Sequence, residues 1–139
     1  MSSCTLCDLV AHTIPVSVAY EDSIIFAFMD IKPVNYGHVV IIPKRHVVYL
    51  AELDDDTGAE LFKVTMRVAQ AVRRSDIKCE AVNLFLADGQ AAGQEEFHVH
   101  MHVIPRYKGD AFTLQIDYPV TPTREDLDRI AERIRSLTS

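Results

Sequence analysis

Over residues 95 to 106, "EEFHVHMHVIPR", imidazole and apolar side chains alternate: His98, His100 and His102 take one set of positions, Val99, Met101 and Val103 the other. Side chains on a strand point to opposite faces in turn, so "FHVHMHVIP" is predicted as a strand with one histidine face and one aliphatic face. Branched and aromatic residues predict further strands at "VSVAYE", "SIIFAFM", "HVVIIP" and "EAVNLFLA", the first two forming a hairpin across Glu21 and Asp22. The period changes after the acidic run Asp54 to Asp56. There Leu61, Val64, Val68, Ala71 and Val72 recur at three- and four-residue steps, which predicts a helix capped by the acidic run, ending near Arg74 and covering the sheet. A short helix over residues 4 to 10, capped by Ser3, is expected at the start of the chain. Another, capped by Thr123, is expected near its end, with Leu127, Ile130, Ile134 and Leu137 along one stripe. The segments "DIKPVNYG" and "DGQAAGQE" read as loops by their Pro, Asn and Gly. Strands joined by turns, with helices that are not interleaved in βαβ fashion, indicate an α+β fold with one five-stranded, meander-like antiparallel sheet.

Composition narrows the classes of function. The chain has 139 residues, 48% of them apolar, with no repeat, low-complexity tract or linker, and is read as one domain over residues 1 to 139. Acidic residues outnumber basic ones 20 to 14 and no basic run exceeds two residues, which argues against a nucleic-acid polymer or an anionic membrane as partner. A small ligand or a protein fits better. The apolar runs are too short to span a membrane and "MSSCTLCDLV" resembles no leader, so a soluble, cytoplasmic protein is expected.

Three of the chain's six histidines lie on the one strand, which is too concentrated for a solvated surface face. A single catalytic metal held by all three is geometrically awkward. The outer two would stand about 13 Å apart along an extended strand, whereas metal–nitrogen bonds are about 2 Å. Phosphate chemistry suits the pattern: a neutral imidazole is a competent nucleophile near neutral pH, and a neighbour on the same face can donate hydrogen bonds and a proton. Gly89 and Gly93 in the preceding loop would let backbone N–H groups approach an oxyanion.

The run His98-Val-His100-Met-His102-Val-Ile, preceded by "AAGQ" and followed by "PR", resembles the signature of the histidine triad (HIT) family, and "IIFAFMDIKPVNYGHVVIIPKRH" is similar to that family's N-terminal block. The resemblance covers roughly residues 4 to 112. It implies a homodimeric nucleotide hydrolase or nucleotidyl transferase, with a sheet continuous across the dimer. The implied substrate is a purine nucleotide or dinucleotide: a nucleoside phosphoramidate, an adenylylated adduct or a dinucleoside polyphosphate. By the same resemblance His100 corresponds to the nucleophile that becomes nucleotidylated, and His102 to the residue contacting phosphate and leaving group. Asp30 would accept the ribose hydroxyls, as suits an acceptor-only carboxylate. Phe28, Ile31, Leu6 and Leu9 would surround the base, with His38 near the triad and Gly93, Gln94 and Glu95 on the phosphate side. Two positions depart from the family: Ala87 stands where many relatives carry Asn or Gln, and Glu95 where Ser or Thr follows "GQ". Alternatives with other outcomes are a non-catalytic nucleotide-binding protein of the same fold and a hydrolase using the histidines as catalytic metal ligands.

Cys4-x-x-Cys7 alone is a redox dithiol, half a metal site or a chance pair. The βαβ setting usual for a redox pair is missing, and His46 in "PKRH" is a candidate third zinc ligand. A largely bacterial subset of the HIT family joins such a pair to this histidine and the first triad histidine, which implies a structural zinc on Cys4, Cys7, His46 and His98 and no organic cofactor. His98 would then face the metal, leaving His100 and His102 for phosphate. Cys79 and His12 belong to no motif.

Overall fold

Asp22 closes the first hairpin. Its carboxylate accepts the N–H groups of Ile24 and Ile25, both at 2.7 Å, between β1 (Val18–Glu21) and β2 (Ile25–Met29). These bonds favour the charged carboxylate and hold its pKa below the usual value. With β3 (Val39–Pro43), β4 (Ala81–Phe85) and β5 (Met101–Arg106), the computed structural model, which describes residues 3–138, forms one antiparallel sheet in the order β1-β2-β3-β5-β4. The α+β architecture read from the sequence is the one observed, but the sheet is not the expected meander: β5 lies between β3 and β4, because the chain crosses from β3 through α2 to the outer strand before returning. No helix among the described residues is long and apolar enough to cross a membrane.

The two faces of the sheet are covered differently. Ile25 and Ala27 of β2, Val39 and Ile41 of β3, and Val103 of β5 pack with Val99 against Leu61, Val64, Val68 and Val72 of α2 (Asp55–Arg74). On the other face Phe26, Phe28, Val40 and Ile42 meet Leu6 of α1 (Thr5–Val10), a helix too short to cover it. Phe28, Val40, His102 and Phe85 lie in register across four strands on this second face. Its uncovered part is where a ligand can sit.

Local details differ from expectation. The first helix is capped by Cys4, whose Sγ accepts the Cys7 N–H at 3.4 Å, not by Ser3. On α2, capped by Asp54 as expected, Ala71 is exposed and Thr65 is buried in its place. The Thr65 hydroxyl donates to the Leu61 carbonyl at 2.7 Å, so its burial leaves no polar group unsatisfied. The ladder of β5 begins at Met101 rather than Phe97, because the residues before it turn to the segment after β3, where the Val99 N–H donates to Val47. The last helix, α3 (Arg124–Arg135), has its Thr123 cap and carries Leu127, Ile130 and Ile134 of the expected stripe, but it ends before Leu137 and buries no residue. Where β5 ends, Arg106 grips Asp110 with two hydrogen bonds, and Asn35 donates to the same carboxylate at 2.9 Å, which anchors the turn from which the C-terminal segment departs.

Candidate functional site

Cys4, Cys7, His46 and His98, scattered over 95 residues of chain, converge on one point. The short turn of α1 points both sulfurs the same way, and the Val99–Val47 bond presses the His98 ring against His46. His46 Nδ1 lies 3.3 Å from His98 Nδ1; Cys4 Sγ lies 3.5 Å from His98 Nδ1; Cys7 Sγ lies 3.4 Å from His46 Nδ1 and 3.7 Å from His98 Nδ1. Zinc bonds of about 2.05 Å to nitrogen and about 2.3 Å to sulfur, set tetrahedrally, require edges of about 3.3 Å between nitrogens and about 3.6 Å between nitrogen and sulfur. The donor set fits zinc in chemistry and in spacing. His98 is fully buried and its Nε2–H donates to the Pro43 carbonyl at 2.7 Å, which turns the Nδ1 lone pair to the cluster. Burial keeps the imidazole below its ordinary pKa, hence in its ligating neutral form.

His100 and His102 open instead on a pocket of ≈ 520 Å³ on the second face of the sheet. Leu6, Leu9 and Phe28 form its apolar floor and Asp30 its polar edge, while Ile31, 92% exposed, stands at its rim. His100 Nδ1–H donates to the His98 carbonyl at 2.8 Å, which leaves the Nε2 lone pair uncommitted. The His100 and His102 rings are 5.0 Å apart. His102 Nδ1 is 2.8 Å from Nε2 of buried His38, whose Nδ1 faces the Val34 N–H at 3.1 Å. Burial lowers the pKa of His38 and brings that of His102 down to about 4. One Asp30 oxygen accepts the Lys32 N–H at 2.8 Å and shapes the turn; the other is 3.6 Å from His38 Nε2.

The glycine loop takes up the amides of both its glycines internally. The N–H groups of Gly89, Ala92, Gly93 and Gln94 are all bonded within the loop, that of Gly89 to the Gln94 side chain at 2.7 Å. Gln94 is buried as a brace, donating to the Val48 and Glu96 carbonyls. Glu95 is exposed and Ala87 buried, and neither lines the pocket; Glu96, whose carbonyl accepts from the Gln94 side chain, does. Pro15, Val16 and Ser17 also line the pocket. They had no signature in the sequence, since only folding brings the segment before β1 across α1.

Residues 11–109 match the HIT domain family. A HIT family protein from Bacillus subtilis has the same fold in its crystal structure, with a TM-score of 0.90, 34% identity and 99% of each chain covered. A Zn-bound histidine triad family protein from Mycobacterium smegmatis superposes with a TM-score of 0.76 and 34% identity over 96% of each chain. In sequence, the chain is 31% identical to the adenosine 5′-monophosphoramidase of Schizosaccharomyces pombe, over 96% of this chain and 97% of that protein.

Proposed function

Because the chain belongs to the HIT family, we propose that it is a nucleotide hydrolase or nucleotidyl transferase, acting as a single domain and cleaving at the α-phosphate through a nucleotidyl-His100 intermediate. The observation that carries this is the uncommitted Nε2 of His100 beside His102 in a pocket with an apolar floor and a carboxylate edge. Likeness to the fission yeast monophosphoramidase favours a purine nucleoside phosphoramidate over an adenylylated adduct or a dinucleoside polyphosphate.

Leu6, Leu9, Phe28 and Ile31 hold the base and Asp30 accepts the ribose hydroxyls. The His100 Nε2 lone pair attacks the α-phosphorus while the bond to the leaving nitrogen breaks, and the departing amine takes up one proton from solvent. The positive charge that appears on the His100 ring is stabilised by the His98 carbonyl on Nδ1–H. His102 meets the charge on the phosphoryl and leaving groups. Water then attacks the phosphorus, His100 departs with its lone pair, and one proton is released. Cys4, Cys7, His46 and His98 would hold a structural zinc, a closed four-ligand centre that supplies folding energy rather than a reactive position.

The partner in the proposed homodimer is a second copy at the β4 edge. Leu84 and Phe85 of that strand are exposed, as are Phe62 and Met66 on the outer side of α2.

Rapid quenching with a good leaving group should trap a nucleotide on His100 as an acid-labile phosphoramidate. His100→Ala should lose turnover by at least about 10³-fold while still binding mononucleotide. Turnover near wild type in His100→Ala would overturn the assignment. Binding without turnover in the wild-type chain would favour a pure nucleotide binder, and instant loss of activity on adding chelator would favour a metal hydrolase.

A further inference from the structure

Asp30, His38 and His102 bring three metal-type ligand atoms close together beside the pocket, yet their hydrogen bonds point to a different use. The Val34 N–H can only donate, so the His38 Nδ1 that faces it at 3.1 Å holds a lone pair, and neutral His38 carries its proton on Nε2. That Nε2 lies 2.8 Å from Nδ1 of His102, a separation with room for one proton, and His38 supplies it. His102 Nδ1 is therefore an acceptor, and neutral His102 has its own proton on Nε2. A metal would require a lone pair on His38 Nε2, hence a proton on Nδ1 pressed against the Val34 N–H. The spacing also differs from that of the cysteine–histidine cluster, where the Nδ1 atoms of His46 and His98 stand 3.3 Å apart and the His98 lone pair is turned inward.

We infer that His38 is a positioning residue that relays the direction of the Val34 amide to His102, so that His102 meets the nucleotide as a neutral Nε2–H donor. The relay rests on the reading of His100 as nucleophile and explains why the middle histidine attacks. The carbonyl of His98 puts the His100 proton on Nδ1 and frees Nε2 as a lone pair; the amide of Val34, through His38, does the reverse to His102. Two neighbouring imidazoles thus face one phosphate as one nucleophile and one donor. Burial, which keeps His38 and His102 below the ordinary imidazole pKa, maintains both in the neutral form that the relay needs.

The tautomers can be read directly by long-range ¹⁵N–¹H correlation NMR on the zinc-loaded, ¹⁵N-labelled full chain at neutral pH. His38 and His102 should carry their protons on Nε2 and His100 on Nδ1; a His102 proton on Nδ1, or a mixture of its two forms, would overturn the relay. His38→Ala should give that mixture, whereas His38→Gln, whose side-chain amide places an N–H near the lost Nε2, should restore the single form. With turnover as readout, His38→Ala should slow a poor amine leaving group at least about tenfold more than a good aryloxide one, and His38→Gln should recover most of that ratio. Equal slowing of both leaving groups, with the His102 tautomer unchanged, would count against the relay. The failure of the nucleophile reading looks different: the trapped nucleotide would be found elsewhere than on His100 while the tautomers remained as described.

Discussion

At the scale of single residues, imidazoles of one chemical kind are sorted by what touches their second nitrogen. A carbonyl acceptor at Pro43 turns the Nδ1 lone pair of His98 toward the two cysteines, a carbonyl acceptor at its own second neighbour leaves His100 with a lone pair on Nε2, and an imidazole donor leaves His102 with an outward N–H. Burial adds a pH signature. The pKa of His102 is about 4 in the folded chain against about 6.5 when exposed, so between these values the unfolded state binds more protons. Stability is then fully present above about pH 6.5 and falls as pH drops toward 4. His102→Gln should flatten this slope, and urea midpoints measured for both proteins across the window check it; parallel curves would contradict the assigned shift.

At the scale of elements, α1 and the turn before β3 matter out of proportion to their size. Helix α1 has six residues, too few to be stable alone, and a zinc held by Cys4, Cys7, His46 and His98, as proposed, would tie it to the segments that carry the two histidines. Cys7→Ser should therefore lower stability by about 2 kcal/mol or more, roughly 6–8 °C in Tm, with a smaller effect on the rate per folded molecule. Metal analysis of gently purified protein should find about one zinc per chain, and thermal scans of the variant complete the test. Gly37 sits at φ +96°, and a Cβ there would lie 2.9 Å from Ile77 Cγ2 and 3.1 Å from Pro105 Cγ. Gly37→Ala should cost about 2–3 kcal/mol and displace His38, lowering turnover as well. Gly89→Ala, which meets nothing within 4 Å, carries only the backbone strain of its φ of +103° and should cost about 1–2 kcal/mol. Denaturant midpoints of the pair should show that difference.

At the scale of the whole molecule, one face of the sheet is finished by α2 and much apolar surface is left elsewhere. Leu114, Ile116, Tyr118 and Val120 recur at every second position of a segment outside helix and strand and are 62–78% exposed; α3 exposes Leu127, Ile130 and Ile134, and Leu137 just past its end is exposed too. Together with the β4 edge, these residues offer an apolar surface that the proposed second copy could cover. Light scattering at micromolar concentration should give twice the 15.6 kDa mass of one chain. Introducing charge with Leu84→Glu and Phe62→Glu should shift the particle toward the monomer; a wild-type monomer would remove the basis for the dimer.

What was legible from the sequence by itself was what is periodic or local. The strands, the hairpin at Asp22, the Asp54 and Thr123 caps and the α2 stripe follow from side-chain alternation and from side chains bonding their own backbone, which need only near neighbours. The histidine pattern likewise exposed a chemical site, and its resemblance to a known family named the residues, although spacing alone left the use of Cys4 and Cys7 open. Tertiary structure decided everything that depends on distant groups meeting. It brought Pro43, Val47 and His46 to His98, swung Pro15 to Ser17 over the pocket, turned Glu96 rather than Glu95 toward it, and consumed the loop amides of Gly89 and Gly93 internally. It also decided the tautomers, because which nitrogen of a neutral imidazole holds the proton is set by the hydrogen-bond partner at the other, and those partners, Val34 and His38 for His102, are far from it in sequence.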